Sequence, residues 1–90
     1  MSKLDEARKI INEVDQQMAV LWEKRMQAVQ QVVAYKMEHH LPVFDAAREA
    51  EVIARNTALI NDETLKPYYV EMLQLMMEIS KKYQREIMEK

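Results

Sequence analysis

The chain has 90 residues, with 13 Lys and Arg against 15 Asp and Glu, and a formal net charge of −2. This length corresponds to one domain over residues 1–90, and the near-neutral charge argues against a nucleic-acid-binding surface, which needs clustered basic residues. The sequence has no cysteine, which excludes disulfides, a thiol nucleophile and cysteine-based metal sites.

The first predicted element is a long helix over residues 4–39. Apolar side chains recur there at alternating spacings of three and four, which is typical of an amphipathic helix. They are Leu4, Ala7, Ile11, Val14, Met18, Leu21, Ala28, Val32 and Tyr35. Pro42 disfavours helical geometry at Leu41, so we expect the helix to end there, with a histidine (His39 or His40) in the left-handed conformation.

Three basic residues, Arg8, Arg25 and Lys36, lie on this apolar face. A cation on such a face is costly unless an anion meets it. Internal ion pairs, or side chains that extend outward along their apolar stems, would explain them as well as an anionic ligand would. The helical rise separates Arg25 from Lys36 by roughly 16 Å and from Arg8 by roughly 25 Å. If all three bind one small anion, Arg8 must come from a second copy of the chain.

A second helix is predicted over residues 46–60, with Asp45 as its N-cap. Arg48 and Glu49 lie on or beside the face that carries Val52, which indicates charged groups directed inward. A solvated first turn is the alternative explanation.

A third helix is predicted over residues 67–88, because Pro67 suits a first helical turn. Its apolar stripe is Tyr69, Met72, Leu73, Met76, Ile79, Tyr83 and Ile87. Ser80 and Gln84 border the stripe four residues apart, and inward-facing polar groups need hydrogen-bond partners. Those partners could be backbone or water rather than a ligand.

The fold class predicted from these elements is all-α, with one long, one short and one medium helix. Helix 1 is far longer than helix 2, so a compact monomer would leave part of its apolar face exposed. Antiparallel pairing of two long helices in a two-fold homodimer would cover that face.

Other features of the sequence bear on location and origin. The chain opens with charged residues and has no long apolar run, so we expect neither a signal peptide nor a membrane span. We therefore expect a cytoplasmic protein. His39 and His40 are adjacent, so both cannot face one metal ion from a helix, and no metal site is expected. The absence of glycine is unusual and is consistent with an engineered or artificial sequence.

The inward polar residues, taken with two short motifs, resemble the all-helical (AroQ-type) chorismate mutases over nearly the whole chain. The motifs are Leu41-Pro42-Val43-Phe44-Asp45 and Arg48-Glu49-Ala50-Glu51-Val52, and the opening over residues 4–15 is similar as well. The spacings of eight polar residues across three helices agree with the pattern of site residues in that family. These residues are Arg8, Arg25, Lys36, Asp45, Arg48, Glu49, Ser80 and Gln84. The departures are His39-His40, where the family often has Asn-Gly, and Lys66-Pro67, where it often has Asp-Pro.

The resemblance implies an intertwined homodimer with two shared active sites. It implies that chorismate is converted to prephenate. This conversion is the step of the shikimate pathway that leads to phenylalanine and tyrosine. This Claisen rearrangement has one dicarboxylate substrate and needs no nucleophile, metal or cofactor.

By resemblance, Arg25 and Arg8 of the partner subunit hold the substrate carboxylates, with Ser80 assisting. Lys36 and Gln84 are the donors to the ether oxygen, which gains negative charge in the transition state.

Also by resemblance, Glu49 accepts a hydrogen bond from the ring hydroxyl, and Asp45 and Arg48 shape that end of the site. The four cations and two carboxylates of the set leave two positive charges, which would balance a dicarboxylate.

Two alternative functions remain open at this point. An isochorismate–pyruvate lyase would share the fold and the cationic pocket. A non-catalytic helical dimerisation module, or an inactive artificial sequence, would share the pattern without the activity.

Overall fold

A computed structural model describes residues 2–90, and three α-helices make up most of this part of the chain. They are α1, Lys3–Glu38; α2, Ala46–Thr57; and α3, Lys66–Met88; a 3₁₀ turn over Glu63–Leu65 precedes α3. Residues 2–90 contain no β-strand, which confirms the predicted all-α fold with three helices. No helix in this range is both long and apolar enough to cross a bilayer.

Both ends of α1 have local causes in the sequence. The Ser2 hydroxyl accepts from the Asp5 N–H at 3.1 Å, and the Asp5 carboxylate accepts from the Ser2 N–H, which together form a capping box. At the other end His40 has φ 56°, the left-handed conformation expected of a histidine. The Leu41 N–H donates to the Lys36 carbonyl at 2.8 Å and closes the helix.

The second helix is shorter than the sequence predicts, because it ends at Thr57 rather than at residue 60. The Leu59 N–H bonds to the Asn56 carbonyl at 3.0 Å, and the Ile60 N–H bonds to the Thr57 carbonyl at 3.1 Å. These bonds reach back three residues instead of four, so the chain tightens into turns after Thr57.

The connector that follows contains a capped 3₁₀ turn. The Asp62 carboxylate accepts from the Thr64 N–H at 2.9 Å and from its hydroxyl at 2.6 Å, which caps the 3₁₀ turn. The same hydrogen bonds lower the pKa of Asp62. The third helix then begins at Lys66, one residue earlier than predicted, with Pro67 in its first turn.

The buried core lies where α3 packs against both α1 and α2. Its apolar members are Val29, Val33, Val52, Leu73 and Met77. The two core residues from α1 both come from its C-terminal half, and they lie beside the predicted stripe, whose members Val32 and Tyr35 are 45% and 58% exposed. The core therefore holds one half of α1, together with α2, against a central α3.

The other half of α1 carries an exposed apolar stripe, which we call the outer stripe: Leu4, Ile10, Ile11, Val14, Met18, Leu21 and Trp22. These side chains are 44% to 62% exposed. The radius of gyration is 16.4 Å, against about 12 Å for a compact domain of this length. The longest dimension, 55 Å, is close to the length of a 36-residue helix. The outer half of α1 thus extends beyond the packed part of the chain.

The apolar stripe predicted for α3 is only partly correct. Met72 and Ile79 are 40% and 52% exposed, and with Met76 they border an apolar groove beside the outer stripe. The buried face of α3 is rotated from the predicted one and consists of Leu73, Met77, Ser80, Lys81 and Gln84. The third helix therefore has two distinct faces. One is buried within the chain and combines apolar and polar side chains, and the other is apolar and exposed to solvent.

Candidate active site

A cavity of about 250 Å³ lies between the three helices. Seven of the eight predicted site residues line it: Arg25, Lys36, Asp45, Arg48, Glu49, Ser80 and Gln84. They come from α1, from the start of α2 and from α3, so residues far apart in sequence meet here. Arg8 is the exception: it is exposed on the outer half of α1 and does not line the cavity.

Lys36 and Gln84 are joined in a hydrogen-bond network at the cavity wall. Lys36 Nζ donates to the Val43 carbonyl at 2.8 Å and to Gln84 Oε1 at 3.0 Å. Gln84 Nε2 donates to Ser80 Oγ at 3.3 Å, and Ser80 and Gln84 are both buried. An ammonium has three N–H groups and an amide has two, so each side chain keeps one donor beyond these bonds. Together the two side chains keep two N–H donors that these bonds do not use.

Arg25 presents a cationic group that the described residues 2–90 do not satisfy. Its Nη1 atom is buried and has no hydrogen-bond partner within that range. A buried guanidinium nitrogen without a partner carries a free-energy cost, which an anion would remove. Arg25 also lines the cavity, so the chain brings an incompletely paired guanidinium to this site.

The opposite end of the cavity is built on the first turn of α2. Asp45 Oδ1 accepts from the Arg48 N–H at 3.0 Å, so Asp45 serves as the predicted N-cap. The Arg48 side chain lines the cavity, but its Nη1 pairs with Glu51 Oε1 at 2.8 Å in an exposed contact. Glu51 also pairs with Arg55. Arg48 is therefore held partly by its own helix, and an exposed pair of this kind is weak enough to rearrange.

Glu49 meets a cation that sequence reasoning missed. Glu49 Oε2 lies 3.0 Å from Lys81 Nζ, and Lys81 also pairs with Glu78 Oε1 at 2.7 Å. Lys81 lines the cavity and is only 8% exposed. The sequence did contain a signal, since Lys81 lies between Ser80 and Gln84 and four residues after Met77, on the helical face that those residues share.

A family model matches most of the chain. Residues 7–85 match the model of the family described as chorismate mutase type II. The chain belongs to the type II chorismate mutase family. Searches of curated proteins and of solved structures each returned no significant match.

All eight predicted site residues lie within the range that matches the chorismate mutase family, and so does Lys81. The matched range thus includes Arg8, although Arg8 does not line the cavity of its own chain. The 17 residues between Arg8 and Arg25 correspond to roughly 25 Å along a straight helix. No rotation of the Arg8 side chain spans that distance.

The cavity carries an excess of positive charge. Four cationic side chains and two anionic ones line it, which leaves two positive charges. The cations are Arg25, Lys36, Arg48 and Lys81, and the anions are Asp45 and Glu49. Among residues 2–90, no three His, Asp and Glu side chains are grouped so as to hold a metal ion. The arrangement is suited to a small ligand with two negative charges.

Proposed function

We propose that this chain is a chorismate mutase, which converts chorismate to prephenate. The observation that carries the proposal is the cavity itself. It joins an unsatisfied arginine with a lysine–glutamine donor pair in a chain whose residues 7–85 match the chorismate mutase family. Seven predicted site residues line that cavity, which supports their proposed roles.

In the proposed mechanism the protein holds a flexible substrate in a reactive shape. The rearrangement breaks a carbon–oxygen bond and forms a carbon–carbon bond within one molecule, so no group is transferred to the protein. Arg25 binds one substrate carboxylate, with Ser80 nearby, and fixes the two reacting carbons close together. Positioning of this kind supplies a large share of the rate enhancement in an intramolecular reaction.

The remaining donors of Lys36 and Gln84 stabilise the ether oxygen as its bond breaks. Because that bond breaks ahead of carbon–carbon bond formation, the oxygen gains negative charge in the transition state. Preorganised donors lower the energy of such a charge more than that of the ground state. Lys36 is already held by Val43 and Gln84, so little reorganisation is needed.

Glu49 is the proposed acceptor for the ring hydroxyl at the other end of the cavity. Asp45 fixes the first turn of α2, from which both Glu49 and Arg48 project. These three residues set the shape and polarity of that end.

We also propose that two copies of the chain form an antiparallel homodimer with shared sites. The support is the outer stripe, the adjoining apolar groove on α3 and the elongated shape of the single chain. Exposed apolar surface of this extent usually marks an interface. Antiparallel pairing of two α1 helices about a two-fold axis would bring Arg8 of the partner subunit toward the cavity.

One assay tests the proposed activity. Purified protein is mixed with chorismate, and the loss of chorismate and the identity of the product are followed. We expect prephenate as the product. Loss of isochorismate with release of pyruvate, and no action on chorismate, would instead identify a lyase on the same fold. If neither compound reacts, the remaining alternative is a helical interaction module.

A cytoplasmic location remains a prediction.

A further inference from the structure

Lys81 occupies an unusual position for a lysine. It is 8% exposed, and its Nζ lies 3.0 Å from Glu49 Oε2, 2.7 Å from Glu78 Oε1 and 4.8 Å from the centre of the Phe44 ring. A buried ammonium is tolerated when carboxylates and an aromatic face surround it. These contacts link α3 to α2 and to the loop that follows α1.

The two carboxylates differ in their surroundings. The Glu49 side chain is 24% exposed and lines the cavity, whereas the Glu78 side chain is 64% exposed on the outside of α3. Hydrogen bonds from Lys81 to Glu78 and then to Glu49 raise the pKa of Lys81. Lys81 thus stays an ammonium at any pH at which the enzyme would work.

We propose that Lys81 is a positioning and specificity-determining residue, which fixes the Glu49 carboxylate and offsets its charge so that this end of the cavity accepts a neutral hydroxyl rather than a cation. The inference rests on the proposed function. Lys81 acts through Glu49 and is not itself a catalytic residue.

Lys81 determines which Glu49 oxygen a ligand can reach. Lys81 engages Oε2, which leaves Oε1 as the oxygen available to a substrate. A carboxylate without the lysine would rotate more freely and would attract a cationic group into the cavity. With Lys81 beside it, an ammonium on the ligand would meet a like charge, which opposes its binding.

A double-mutant cycle tests the positioning role. We expect Lys81→Met to lower kcat/KM for chorismate by roughly tenfold, and to cause almost no further loss in a Glu49→Gln background, since the two residues act as one unit. Equal losses in both backgrounds would overturn the inference. Lys82→Met, an exposed lysine at the next position, is the matched control and should leave kcat/KM unchanged.

A substrate analogue tests the specificity role. The analogue carries an ammonium in place of the ring hydroxyl of chorismate. We expect the wild-type protein to prefer chorismate, and we expect Lys81→Met to reduce that preference by roughly tenfold, whereas Lys82→Met leaves it unchanged. A preference that does not change in Lys81→Met overturns this part of the inference. A substitution that only loosens the fold would slow both substrates alike and would not alter their ratio.

The ion pair can also be measured without any activity. Nitrogen-15 NMR of the lysine ammonium groups should show a Lys81 resonance that shifts in Glu49→Gln, which does not change Lys81 itself and does not depend on Lys81→Met folding. An unchanged resonance overturns the ion pair. If the wild-type protein consumes no chorismate, the proposed function fails, and the catalytic consequence fails with it. An active wild type with an additive cycle overturns only the Lys81 inference.

Discussion

The N-terminal, outer half of α1 and its C-terminal, inner half both carry apolar side chains but differ in how those side chains are covered. Val29 and Val33, in the inner half, are buried against the rest of the chain, at 8% and 1% exposure. Met18 and Leu21, in the outer half, are 53% and 62% exposed. The sequence does not distinguish them, because periodicity reports that a helical face is suited to burial without saying which chain covers it. In this protein the inner half contributes residues to the cavity wall, and the outer half is the proposed contact surface for a partner subunit.

The largest expected effect comes from the cavity. Lys36→Ala or Gln84→Ala should each lower turnover of chorismate by about 10²–10³-fold, as expected for loss of a donor to a developing negative charge. Steady-state kinetics would measure the turnover number of each variant. Because neither residue belongs to the outer stripe, circular dichroism and sedimentation should show unchanged helicity and assembly. A Gln84→Ala protein with normal turnover would remove Gln84 from the mechanism.

The outer stripe should show the reverse behaviour. Val14→Glu with Leu21→Glu would place two charges in the proposed interface, and we expect the dissociation constant of the dimer to rise by about 100-fold or more. Analytical ultracentrifugation over a range of concentrations measures the change. Gln16→Glu, an exposed position on the opposite face of α1, is the control and should dimerise normally. Unchanged assembly in the double variant would mean that the stripe has another use.

A complementation experiment joins the two halves. If each site takes Arg25 from one chain and Arg8 from the other, the Arg8→Ala and Arg25→Ala homodimers should both be nearly inactive. When the two variants are unfolded together and refolded, half of the dimers are mixed, and each mixed dimer has one intact site. Roughly a quarter of all sites should then be active in a two-fold dimer.

Chorismate turnover relative to wild type measures the recovery, and mass spectrometry of tagged chains counts the mixed dimers. Refolding each variant alone is the control, and it should restore nothing. Mixed dimers without activity would contradict the shared site.

A change in pH dependence tests the contact between Gln84 and the ether oxygen. Gln84 donates at any ordinary pH, whereas the side chain introduced by Gln84→Glu donates only when protonated. The activity of this variant should therefore rise as the pH falls, and it should be low at neutral pH. Profiles of kcat/KM from about pH 4 to about pH 8 would show the difference. An equal loss at every pH would indicate that Gln84 does not meet the oxygen.

The smallest expected effect concerns the outer carboxylate of Lys81. The hydrogen bond and charge of Lys81 lower the pKa of Glu78 from its ordinary value of 4.5. A lowered folded-state pKa means that Glu78 stabilises the protein above pH 4.5 and loses that contribution as the pH falls through the folded value.

The Tm should therefore fall more between about pH 7 and about pH 3 in wild type than in Glu78→Gln. Glu71→Gln, an exposed carboxylate on the same helix, should behave like wild type. If Glu78→Gln loses as much stability in acid as wild type does, then the pair with Lys81 contributes nothing measurable.

Some features of the protein were determined by the sequence alone. Apolar spacing of three and four located the helices, Asp45 marked the start of α2, and Pro42 with a left-handed histidine marked the end of α1. These features depend on interactions within a few residues, so local patterns suffice. The spacing of eight polar residues, read with knowledge of the family, predicted a site, and seven of the eight line the cavity.

Other features were decided only by the tertiary structure. The buried face of α3 is rotated from the predicted stripe, and Lys81 therefore lies against Glu49 rather than in solvent. The orientation of the Gln84 amide, with its oxygen toward Lys36 and its nitrogen toward Ser80, was likewise not predictable. The physical reason is that periodicity defines a face within one helix, whereas contacts between helices depend on how each helix is rotated and crosses its neighbours.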